Sequence, residues 1–154
     1  MKTAATFVPP IDRAAARREM FRRIVASWML RNGDAHLKNF GLLYSSAADV
    51  RLAPLYDVVT TTAYPSLRND VPALSLEGRR AWRLQGGSWT RFASAHCALE
   101  PAGAREIVDA LAESIAEESA HAERYGRKHP QAAALIGAMV TQWKSGVQDV
   151  RAGM

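Results

Sequence analysis

Residues 32 to 43 read Asn32-Gly33-Asp34-Ala35-His36-Leu37-Lys38-Asn39-Phe40-Gly41-Leu42-Leu43, and residues 53 to 59 read Ala53-Pro54-Leu55-Tyr56-Asp57-Val58-Val59. Upstream, Met20, Phe21, Ile24, Val25 and Trp28 recur at helical spacing, with Arg18, Glu19, Arg22 and Arg23 on the other side. Asp12 is placed to cap this helix, which is expected to run to about Arg31. Asn32-Gly33 would stop it with residues that tolerate positive φ. The polar loop from Asp34 therefore starts where a buried helix ends. Downstream, Phe40 to Tyr44 and Val50 to Ala53 flank Ser45-Ser46-Ala47-Ala48-Asp49, which predicts a short hairpin. Such a hairpin folds Asp57 back towards Asn39.

The residue types in this arrangement point to chemistry. Asp34 and Asn39 have the D-x-x-x-x-N spacing of a protein-kinase catalytic loop, in which the Asp accepts a hydroxyl proton and the Asn holds a metal ion. Asp57 is placed for the later Asp that binds the Mg²⁺ bridging the ATP phosphates. Mg²⁺ takes one or two carboxylates together with phosphate oxygens. Asp34, Asn39 and Asp57 are thus expected on one open cleft, with oxygens of Asn39 and Asp57 roughly 3–6 Å apart. In that reading the Lys38 ammonium offsets charge on the transferring phosphoryl group. The alternatives are turn-forming roles for Asp34, Asn39 and Asp57 and a solvated loop position for Lys38. His36 lies two residues from Asp34, but His96, His121 and His129 are distant in sequence and no Cys pair accompanies them. His36 is therefore read as a brace for the loop rather than a zinc ligand.

The string from Asn32 to Tyr44, followed by Leu52 to Val59, resembles the C-terminal kinase lobe of the HipA toxins, the serine/threonine kinase half of HipA–HipB toxin–antitoxin modules. The resemblance covers about residues 20 to 64, and Ala73 to Gly78 resembles the strand that follows in that family. It implies a mainly α fold with short β-hairpins, a protein-kinase-like C-lobe. It implies ATP- and Mg²⁺-dependent phosphorylation of a protein serine or threonine. The catalytic residues would be Asp34 and Lys38, the nucleotide and metal residues Lys38, Asn39 and Asp57, and the supporting residues His36 and Tyr56. The implied partners are an aminoacyl-tRNA synthetase as substrate and a helix-turn-helix antitoxin, with DNA met only through the antitoxin.

Composition bounds these readings. The 154 residues are 48% apolar and 23% charged, ordinary for a globule with a real core. No apolar run approaches the roughly 18 residues that span a bilayer, and the first ten residues do not form a signal peptide. The single Cys97 cannot form an internal disulfide and is expected as a packed thiol, which with the rest points to the cytoplasm. The net charge of +5 is unevenly placed. Residues 1 to 31 carry seven Lys or Arg against two acids, and residues 100 to 123 carry seven acids against one Arg. Either a GC-rich bacterial composition, or an acidic protein partner or nucleic acid, accounts for this.

Along the rest of the chain, residues 1 to 10 read as an irregular tail and 11 to 154 as the domain. Residues 60 to 72 read as an exposed loop, 73 to 84 as a short strand pair, and Ser88 as the cap of a helix through Cys97. Pro101 opens a long helix to about Tyr125, ended by Gly126, with Ile107, Leu111, Ile115 and Glu118 on one face. Pro130 opens a last helix through Leu135, Met139, Val140 and Trp143. The four Trp are expected in or beside the core. No glycine precedes Gly33, and only Lys2 precedes the loop among the four lysines. The glycine-rich nucleotide-covering lobe is therefore expected outside these 154 residues, with a complementary N-lobe chain among the partners considered. The rival readings are a non-catalytic remnant or split subunit that binds an antitoxin or that lobe, and a nucleic-acid-binding domain using the Arg-rich first helix.

Overall fold

The computed structural model describes residues 8–46 and 49–154. Residues 1–7 of the expected tail, and Ala47 and Ala48 of the expected hairpin turn, lie outside the described residues. The architecture is mainly helical, with one two-stranded antiparallel sheet. A 3₁₀ turn at Pro10–Asp12 leads into α1 (Arg13–Met29), and β1 (Leu42–Ser46) pairs with β2 (Asp49–Leu52). After two 3₁₀ turns, Thr61–Ala63 and Pro65–Leu67, come α2 (Ser88–Phe92) and a π-helical turn at Ala93–Cys97. The long helices α3 (Pro101–Lys128) and α4 (Pro130–Ala152) complete the chain.

From Met20 onward α1 is buried on nearly every side, because α2, the π turn, α3, α4 and the loops pack around it. Its large side chains nucleate an aromatic cluster. Trp28 and Trp89 meet edge-on with ring centroids 5.5 Å apart, Phe21 and Phe92 pack beside Trp89, and Trp82 closes on Trp28 at 6.1 Å. Burial of each such side chain contributes about 1.5–3 kcal/mol. Ile107, Val108, Ala112 and Ile115 of α3 and Val150 of α4 supply the opposite wall. Glu118 is exposed rather than part of this face, where Ser119 is buried instead. The helices α1 and α4 come within backbone contact at Gly146, where a Cβ would lie 2.1 Å from the Met29 carbonyl oxygen.

Several local expectations are corrected by tertiary contacts. Asp12 occupies the position before α1 but makes no capping bond with its side chain. Arg23 is buried, not solvated, because its guanidinium donates to the Ala53 carbonyl at 2.5 Å and to Glu19 at 2.7 Å. The left-handed residue that turns the chain after α1 is Arg31, at φ 55°, rather than Asn32 or Gly33. Thr60 to Ala63 are buried beneath α4, not exposed. Residues 73 to 84 form a single bridge between Leu76 and Arg79, with Glu77 and Gly78 left-handed, because Leu76 and Leu84 turn into the core instead of alternating. Gly87, not Ser88, precedes α2, and the Ser88 hydroxyl donates to Glu77 at 2.6 Å. Gly126 does not end α3, since it is buried against Ile136 of α4 and the helix stops only before Pro130. The four Trp sit as expected, Trp28 and Trp89 fully inside and Trp82 and Trp143 half-buried. Cys97 is buried, and burial pushes its thiol up to about 12, which suits an inert core residue.

Candidate functional site

The loop is built on the end of α1. Arg31 reverses the chain, and its carbonyl accepts from the Gly33 and Thr61 backbone amides, both at 3.1 Å. The Thr61 hydroxyl donates to the same carbonyl at 3.3 Å and accepts from the Gly33 amide at 3.0 Å. Gly33 is required here for space. A Cβ would lie 2.2 Å from Asp70 Oδ2 and 2.5 Å from Thr61 Oγ1. The chain then passes Asp34 and closes a 3₁₀ turn, Leu37–Asn39, which carries Asn39 inward.

Asn39 is buried and donates from Nδ2 to Asp57 Oδ2 at 2.9 Å. The hairpin, with Leu42 opposite Leu52, has thus returned the segment that carries Asp57 to the loop. Asp57 is exposed and left-handed, at φ 57°. A non-glycine residue in that conformation is held by its surroundings, and such residues cluster at functional sites. Beside it, the Tyr56 hydroxyl donates to the Lys38 carbonyl at 2.6 Å, a second clasp between the two segments.

Asp34 is joined to this pair through a residue that sequence reasoning used only as a helix stop. The buried Asn32 accepts the Asp34 amide on Oδ1 at 3.2 Å and donates from Nδ2 to the Asp57 carbonyl at 3.2 Å. The Asp34 carboxylate is exposed, and His36 Nε2 stands 3.9 Å from it. The His36 Nδ1 is buried without a hydrogen-bond partner. Lys38 is exposed on the turn before Asn39. The structure therefore brings Asn39 and Asp57 into contact, ties the Asp34 backbone to the Asp57 backbone through the Asn32 side chain, and sets His36 beside Asp34. No group of three or more His, Cys, Asp or Glu side chains is placed to hold a metal ion among the described residues. The side chains that the structure brings into direct contact here are those of Asp57 and Asn39, a carboxylate and a carboxamide.

Asn32, Thr61 and Asp70 are the neighbours that the sequence did not single out. Asn-Gly reads as turn chemistry from sequence, and a Thr run reads as loop, so neither carried a signal of its own.

The model of the HipA-like C-terminal domain matches residues 1–119. The chain belongs to that family. A protein of Haemophilus influenzae named "Putative kinase" is 38% identical over 76 residues, 47% of this chain and 22% of the relative. "Putative kinase Y4mE" of Sinorhizobium fredii is 36% identical over 91 residues, 55% of this chain and 21% of the relative. "Putative kinase Y4dM" of the same organism is 44% identical over 46 residues, 30% of this chain and 11% of the relative. The chain thus spans about a fifth or less of the length of the curated relatives it matches. No helix among the described residues is long and apolar enough to cross a membrane.

Proposed function

We propose that this chain is the catalytic-loop lobe of a HipA-type protein serine/threonine kinase, with a protein-kinase-like C-lobe architecture over residues 11 to 154. The observation that supports it most is the contact of the buried Asn39 with the exposed Asp57 at 2.9 Å, next to a loop that presents Asp34. The fit to a divalent cation rests on the donors, since a carboxylate and a carboxamide oxygen suit a hard ion such as Mg²⁺. As found, the carboxamide turns its N–H₂ to Asp57, and rotation about its last bond would present Oδ1 instead. When bound, Mg²⁺–ATP supplies the phosphoryl group and neutralises its charge. Asn39 and Asp57 would hold the ion, and Asn32 and Tyr56 would fix the spacing of the two segments that carry them. Asp34 would accept the proton of a protein hydroxyl, within reach of His36 as an orienting neighbour. Lys38 would face the developing negative charge.

The substrate class this implies includes aminoacyl-tRNA synthetases, with a helix-turn-helix antitoxin as a regulatory partner. A covering lobe would complete the nucleotide site. Leu55, Tyr56, Val58 and Val59 beside the loop are each more than a third exposed, which favours a surface that another polypeptide covers. The same surface supports the second reading, a binding module without turnover. Two measurements separate them. Mn²⁺ added to the chain should broaden the NMR signals of Asn39 and Asp57 selectively. Radiolabel transfer from ATP should be negligible for the 154-residue chain alone and appear when a glycine-rich lobe is supplied. Absence of selective broadening would sink the kinase reading, and broadening without transfer in the assembled enzyme would leave the binding module.

A further inference from the structure

The helix α4 begins at Pro130, beyond the residues that the family model matches. Yet its inner face touches both segments that support the loop. Gln142 Oε1 accepts from the Thr62 hydroxyl at 3.1 Å, and Trp143 Nε1 donates to the Thr60 hydroxyl at 2.7 Å. Gly146 lets the Met29 carbonyl approach. Ser145 and Asp149 accept from one guanidinium nitrogen of Arg31, at 3.0 and 2.5 Å. Positions 142, 145, 146 and 149, at i, i+3, i+4 and i+7, span two turns and share a face.

Arg31 is the centre of this arrangement. Its side chain is 5% exposed, its guanidinium lies 5.1 Å from the Trp82 ring centroid, and its Nε and Nη1 are buried without hydrogen-bond partners. Asp149 therefore supplies the countercharge for a cation that has little other compensation. The backbone of the same residue is left-handed and carries the carbonyl on which Gly33 and Thr61 converge. Side chain and carbonyl of Arg31 thus join α4 directly to the residue before Asp34.

We infer that α4 is the positioning element of the loop, and that the Arg31–Asp149 ion pair is the clamp through which it holds Gly33 and Asp34 in register with Thr61. Asp149 acts through Arg31 and touches none of the reacting groups. The inference rests on the proposed kinase reading only in calling the loop catalytic; the clamp itself is a statement about local order.

Native-state amide hydrogen exchange, followed by NMR on the whole 154-residue chain, tests it. In Asp149→Asn, which keeps an acceptor but removes the charge, exchange at Gly33, Asp34 and Thr61 should quicken by about tenfold or more. Amides of the α3 core, such as Ala112 and Ile115, should change by less than about threefold. Arg31→Gly is the second variant, because glycine accepts φ 55° without strain while removing the guanidinium. It should loosen the same three amides. Parallel acceleration at the α3 amides would mean that the pair merely holds the fold together, and unchanged exchange at Gly33 and Thr61 would mean that it holds nothing; either result overturns the clamp. Mn²⁺ broadening of Asn39 and Asp57 in the unaltered chain is read separately. Its failure counts against the kinase reading and leaves the exchange result to decide the clamp.

Discussion

Substitution of Asp57 separates what its backbone costs from what its carboxylate does. At φ 57° a residue with a Cβ is disfavoured relative to glycine by about 1 kcal/mol. The carboxylate accepts the Asn39 bond at 2.9 Å, a charge-assisted contact that contributes about 1.5 kcal/mol at an exposed acceptor. Asp57→Gly loses the bond but relieves the strain, so its net cost is about 0.5 kcal/mol. Asp57→Ala loses the same bond and keeps the strain, for a cost of about 1.5 kcal/mol. The alanine variant should melt about 2–4 °C below the glycine variant in a chain of this size. Both should lose divalent-cation binding, measured by the electron paramagnetic resonance signal of free Mn²⁺, because neither retains the carboxylate. Thermal melts by circular dichroism give the stability difference. An alanine variant that melts at or above the glycine variant refutes the strain argument. A folded Asp57→Gly chain with unchanged Mn²⁺ affinity refutes the metal role.

Three further outcomes follow from other parts of the molecule. In a kinase assembled with a covering lobe, Asp34→Ala should cut phosphoryl transfer by about 10²–10⁴-fold with nucleotide affinity nearly unchanged; equal loss of both in a Mg²⁺–ATP titration would undo the division of labour between Asp34 and Asp57. Gly146→Ala would set a Cβ 2.1 Å from the Met29 carbonyl oxygen and push α4 off α1. It should cost about 2 kcal/mol, seen as a melting point lower by about 4–8 °C, and an unchanged melt would contradict the close helix approach. The raised Cys97 thiol stays protonated in the folded chain when the unfolded chain, at the ordinary value of 9.0, ionises. Its contribution to stability is complete below pH 9 and is lost as pH rises towards about 12. Denaturant melts should show that decline between pH 9 and 10.5 and a shallower one in Cys97→Ala; identical slopes would show that the thiol is not desolvated.

The sequence by itself determined the elements that local pattern controls. The apolar stripe from Met20 to Trp28 could only be a buried helix, because its period is helical and its side chains are too large to leave in water. The hairpin followed from two apolar runs around a polar turn. It also returned Asp57 to Asn39, because antiparallel pairing leaves a short connection little choice of direction. Pro101 and Pro130 marked the starts of α3 and α4, since proline is tolerated only in a first turn. Tertiary structure decided the rest. Gly126 reads as a helix stop until α4 buries it and makes its missing side chain a packing feature. Arg23 reads as solvated until the Ala53 carbonyl meets it. Asn32 reads as a turn until Asp57, 25 residues later, arrives to accept its amide. Arg31 reads only as the end of the first helix, yet Asp149, 118 residues away, makes it a buried strut. In each case the deciding partner lies far along the chain, and the energy of burying a charge or an amide depends on that partner rather than on neighbours in sequence.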